Sequence, residues 1–168
     1  VGESYAQELT SKWRQLRDAE QRCLDVHFIG GMQTNKVRKI SDIVNVWQSL
    51  DRQSLVNEIV KRAPGSQVMI QINLTGSGTQ SGCDISEAEA IISDARVKGL
   101  EVIGAMGIGP QGATTKIREA YRTLVSIADR HALTHRSIGM TDDLEIAVES
   151  GSTMVRIGTA LFGERPCL

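Results

Sequence analysis

The chain has 168 residues, 40% of them apolar and only 4% aromatic, with 16 glycines. Its 19 basic side chains nearly balance 20 acidic ones, for a formal charge of −1. That balance excludes the basic surface of a nucleic-acid binder, and no apolar run is long enough to span a bilayer. The length fits one domain over residues 1–168. Cys23, Cys83 and Cys167 show no CxxC spacing, so neither a disulfide framework nor a zinc site is expected, and a reducing cytoplasm is.

Leu9, Trp13 and Leu16 recur at helical spacing and predict a helix over residues 6–20. Val26 to Ile29 is a short apolar strand ending in Gly30-Gly31, with a helix from about Thr34. Val44 to Leu50 reads as a strand. Leu55, Val56, Ile59 and Val60 mark a helix stopped by Pro64-Gly65. Val68 to Leu74 is a strand emptying into a flexible loop, Thr75 to Gly82. Ser86-x-x-Glu89 predicts a capping box that opens a helix through Ala95. Val102 to Met106 is a strand, and Ile117, Tyr121, Leu124 and Ala128 trace one face of a long helix. Arg136 to Met140 is a strand, and Asp142-x-x-Glu145 predicts a cap for a short helix. A last buried strand runs from Ser152 to the Gly158-Thr159 corner.

Six apolar strands alternating with helices imply a parallel sheet buried on both faces. Two architectures fit: a doubly wound open sheet, or a (β/α)8 barrel short of two units. The first strand–helix turn lacks the GxGxxG fingerprint and the chain carries no P-loop, which weighs against the open sheet.

Polar residues gather after the strands. Gln33 to Lys36, Gln71 with Asn73, Thr141 to Asp143 and Gly158-Thr159 all occupy such positions. In a barrel these share the C-terminal face, where sites form. Arg156 is the sole charge in an apolar run. Either it is a fixed cation beside an oxyanion pocket, or it reaches a carboxylate within the core. Asp142 and Asp143 are expected to cap a helix and point away from any anion. His131 and His135 lack the glutamate of a metalloprotease motif, so no metal site is expected. His27 reads as a hydrogen-bonded core histidine.

The run His27-Phe28-Ile29-Gly30-Gly31-Met32-Gln33-Thr34-Asn35-Lys36 resembles the HFIGxLQxNK block of the pyridoxal phosphate homeostasis proteins, the YggS/PROSC family. Gly2 to Glu8, Ile70 to Asn73, Ser81-Gly82, Gly139 to Asp143 and Gly151 to Gly163 resemble further blocks in the same order. The resemblance implies an α/β fold, a (β/α)8 TIM barrel of the alanine racemase N-terminal type that binds pyridoxal 5′-phosphate. It implies that Met140, Thr141, Gly158 and Thr159 hold the phosphate. It further implies that Arg156 lies near the pyridine nitrogen and that Ser4, where the family has asparagine, lies by the ring.

The family's Schiff-base lysine stands on the first barrel strand. No lysine here matches it, and the chain opens on Val1. The expectation is a chain lacking that first strand, with its lysine, and most of the second. The function so implied is a cytoplasmic, monomeric carrier that buffers the cofactor for dependent enzymes without robust catalysis. An amino-acid racemase and a phosphosugar-binding barrel are the alternatives.

Overall fold

Six parallel strands follow one another across a single sheet in the order β1-β2-β3-β4-β5-β6. The computed structural model describes residues 1–163. The strands are β1 (Gly2–Glu3), β2 (His27–Phe28), β3 (Val46–Leu50), β4 (Gln67–Asn73), β5 (Glu101–Ile108) and β6 (His135–Ser137). Between them run α1 (Ala6–Trp13), α2 (Asp18–Cys23), α3 (Thr34–Ile40), α4 (Gln53–Arg62), α5 (Ile85–Val97) and α6 (Thr114–Arg130). After β6 come α7 (Leu144–Glu149) and α8 (Thr159–Phe162). A doubly wound sheet reverses its strand order at a switch point. Here the order never reverses, which is the order of a barrel wall.

The core explains why the central strands read as unbroken apolar runs. Every residue of β3 is buried, and all of β4 except Gln67. Alternate side chains point to opposite faces. Trp47, Val68 and Ile70 pack outward into one cluster with Leu55, Ile59 and Leu124 of the helices. Val46, Met69 and Met106 are equally buried but lie outside that cluster. They share the inner face with buried Gln48, Gln71 and Ser137.

Several local expectations are corrected. The helix over residues 6–20 is two helices. Gln21 Nε2 donates to the carbonyls of Trp13 (2.9 Å) and Leu16 (3.2 Å), satisfying the broken end of α1. Glu20 accepts the Arg17 N–H and restarts the chain as α2. The carboxylate that reaches back at the start of α5 is Glu87, accepting the Asp84 N–H, and not Glu89. The loop after β4 is stapled by Asn73. Its Oδ1 accepts the Thr75 and Gly76 N–H groups, and its Nδ2 donates to Ser77 and Gln80 carbonyls.

The largest correction concerns the last strand. Residues after α7 form only an isolated parallel bridge, Met154 to Ser137. Ile157, Leu161 and Phe162 are exposed, not buried. The apolar run is genuine, but no strand beyond it completes a ladder among the described residues, so it lies along β6 as an arm. The sheet opens on the two-residue β1. No helix among the described residues is long and apolar enough to cross a membrane.

Candidate functional site

Ser137, fully buried, ends β6 and turns the chain inward. Gly139 follows with φ +97°, and a Cβ there would sit 2.5 Å from Ala147 Cβ. Only glycine lets α7 close this tightly on the turn. Met140 and Thr141 then emerge into solvent. The arm returns beside them, where the Arg156 N–H donates to the Gly139 carbonyl at 2.9 Å.

The Arg156 side chain runs under this turn. Its Nη1 donates to the Ser137 carbonyl (2.6 Å) and to Ser137 Oγ (2.8 Å), and its Nη2 to the Gly107 carbonyl (2.9 Å). Burial lowers its pKa, and the charges of Tyr121 and Asp143 work against that lowering. No carboxylate among the described residues forms an ion pair with it. Of the two sequence readings of Arg156, the core ion pair is therefore not the one observed. Three of its five N–H donors are engaged by neutral groups, which leaves two for another acceptor.

Asp143 departs from expectation. It stands at the start of α7 but makes no side-chain cap there. Its Oδ1 accepts the Met140 N–H at 2.6 Å, and its Oδ2 accepts the Tyr121 hydroxyl. Burial and the Asp143 carboxylate both raise the Tyr121 pKa, so the phenol is a fixed donor. Asp142 is exposed. Sequence reasoning assigned Tyr121 only to a helix face, because its partner lies on a different element.

Farther along the arm, Gly158 precedes α8. A Cβ on Gly158 would meet no atom within 4 Å. The Thr159 and Ala160 N–H groups bond to no other group among the described residues. Thr141 on the turn and Gly158 and Thr159 on the arm are all exposed, and the Arg156 N–H bond to Gly139 ties the arm to the turn. Such a corner suits a group carrying negative charge.

Ser4 comes from another strand. It follows β1 at the far edge of the sheet, beside a cavity of ≈ 70 Å³ lined also by Phe28, Met32 and Lys36. No hydrogen bond among the described residues joins it to the Arg156 corner. His27 is hydrogen-bonded as expected, with Gln48 Nε2 at 2.7 Å and Asp25 Oδ2 at 3.0 Å. His135 contacts the Thr134 hydroxyl (2.9 Å) and the Ile103 carbonyl (3.3 Å). The described residues gather no group of three or more metal-ligating side chains. On the inner face, Gln48 Oε1 and Gln71 Oε1 are buried without a partner.

Residues 1–166 match the family described as alanine racemase, N-terminal domain. A pyridoxal phosphate homeostasis protein of Aquifex aeolicus is 37% identical over 98% of this chain and 76% of its own length. A solved protein of unknown function from Bifidobacterium adolescentis superposes with a TM-score of 0.89 at 31% identity, covering 96% of this chain and 74% of that one. PipY of Synechococcus elongatus, solved without PLP, gives 0.85 at 25% identity, covering 96% and 80%.

Proposed function

The chain belongs to the alanine racemase N-terminal domain family, and on that premise we propose that it binds pyridoxal 5′-phosphate and serves as an intracellular carrier of it. The observation that carries this reading is the corner itself. A half-buried guanidinium is held only by neutral groups, on an arm that also carries an open glycine and an exposed hydroxyl. A relative 37% identical bears the name pyridoxal phosphate homeostasis protein, which supports the same ligand.

The residues present fit the cofactor. Thr141 and Thr159 would hold the phosphate by their hydroxyls, beside open Gly158 and with the free N–H groups of Thr159 and Ala160. The Met140 N–H belongs to Asp143, so Met140 contributes the turn and not its amide. Arg156 would donate a remaining N–H toward the pyridine nitrogen, with Ser4 toward the ring. When bound, the cofactor supplies an aldehyde for amines and an electron-withdrawing ring, strongest when its nitrogen is protonated. A guanidinium beside that nitrogen keeps the proton off. Such a site favours storage and release over carbanion chemistry, so the protein acts without robust catalysis. The carrier works as a monomeric single domain in the cytoplasm and hands the cofactor to dependent enzymes.

Gly158→Ala tests the proposal. Its added methyl meets no protein atom, so folding is unchanged, while the methyl fills the space the phosphate needs. Titration with pyridoxal 5′-phosphate, read by absorbance, should show affinity at least about tenfold weaker, roughly 1.4 kcal/mol. Unchanged affinity overturns the assignment of the corner. Equal competition by sugar phosphates would favour a phosphosugar barrel, and robust turnover in a racemisation assay would overturn the non-catalytic reading.

A further inference from the structure

Tyr121 sits in the middle of α6 and is fully buried. A Cβ on Gly109, just after β5, would lie 2.8 Å from its hydroxyl and 3.0 Å from Cζ. The phenol therefore fills a slot that only glycine leaves open. From that slot its hydroxyl donates to Asp143, whose other oxygen holds the Met140 N–H. One chain of contacts links α6, the start of α7 and the turn that carries Thr141.

Asp143 poses an electrostatic problem for the site. A carboxylate in this turn would repel any phosphate at Thr141. The structure resolves it by engaging both oxygens with donors, one on the backbone and one on the phenol. We propose that Tyr121 is a positioning residue for the phosphate corner: its hydroxyl pins the Asp143 carboxylate against the Met140 N–H, so that the turn presents Thr141 and not a negative charge to the ligand. This inference rests on the proposed cofactor reading.

Tyr121→Phe removes the pin and little else. One carboxylate oxygen then loses its donor and swings free beside the corner. The useful probes are pyridoxine 5′-phosphate and pyridoxine, which differ by the phosphate alone and carry no aldehyde to condense with lysines. Calorimetry on the whole chain gives the preference for the phosphorylated form. We expect Tyr121→Phe to cut that preference about tenfold through weaker binding of the phosphate ester, with pyridoxine affinity unchanged. Adding Asp143→Asn to the same chain removes the charge and should restore most of the preference. A purely structural role would weaken both ligands together and would not be rescued. If Tyr121→Phe does not fold, Asp143→Glu keeps the charge, misplaces it by one methylene and should show the same selective loss. Unchanged preference, or loss for both ligands alike, overturns the inference. A wild-type chain with no preference for the phosphate ester would instead sink the cofactor reading on which it stands.

Discussion

The centre of the sheet and the arm after α7 are built from equally apolar sequence, yet they have opposite fates. In β3 to β5, each strand has a neighbour on both sides and is covered on both faces. Residues 152–163 share one isolated bridge and a few hydrogen bonds with β6 and leave Leu161 70% and Phe162 80% exposed. Hydrophobicity decides burial only where a partner surface exists. The region with the least packing carries the open glycine and the candidate anion donors. A ligand corner needs backbone groups that the fold has not already spent.

The sharpest way to break this comparison is to remove a large side chain at the centre. Ile70 is fully buried in β4 within the helix-facing cluster. Ile70→Ala should cost about 4 kcal/mol of unfolding free energy, from lost transfer plus the residual cavity. Denaturant melts check it. A loss below about 1 kcal/mol would mean the centre is as loosely held as the arm.

A second test uses pH. Cys83 pairs with Ile72 beside β4, and burial pushes its thiol up to about 12 from 9.0. The unfolded chain therefore gives up this proton first as pH rises. The stability it contributes is complete below pH 9 and is lost as pH climbs through the folded value. The wild type should lose roughly 3 kcal/mol more than Cys83→Ala between those limits. Parallel pH profiles of the two proteins would sink the argument.

These central elements were legible because their signals are local. The period of Leu55, Val56 and Ile59 and the run from Val68 to Asn73 name their own structures. Arg156 was singled out because a charge inside an apolar run needs an explanation. What could not be read depends on groups brought together by the fold. Gln21 breaks the first helix from eight residues away. Asp143 reads as a cap because a carboxylate before a helix usually is one. Its true partner, Tyr121, lies 22 residues back on another helix. The arm reads as a strand because periodicity reports a chain's apolar faces but not whether a neighbouring strand will pair with it.

Arg156→Met separates the two regions by function. In the free protein, the relief of a half-buried charge offsets the two carbonyls left without donors, so stability should shift by less than about 1 kcal/mol. Affinity for pyridoxal 5′-phosphate should nevertheless fall about tenfold. A stability loss near that of Ile70→Ala would make the arginine part of the structural core and not of the site.

The smallest effect is expected at Phe162, and it tests whether the arm contributes to the fold at all. An exposed aromatic ring has little surface left to lose, so Phe162→Ser should change unfolding free energy by no more than about 0.5 kcal/mol. Leu161, Ile157 and Met140 are exposed as well, and exposed apolar side chains promote association. The double change of Leu161 and Phe162 to serine should therefore raise solubility while leaving the thermal midpoint in place. Should the midpoint fall as far as it does for Ile70→Ala, the arm must pack against a surface that buries it in solution. The contrast between a closed centre and an open margin would then be lost.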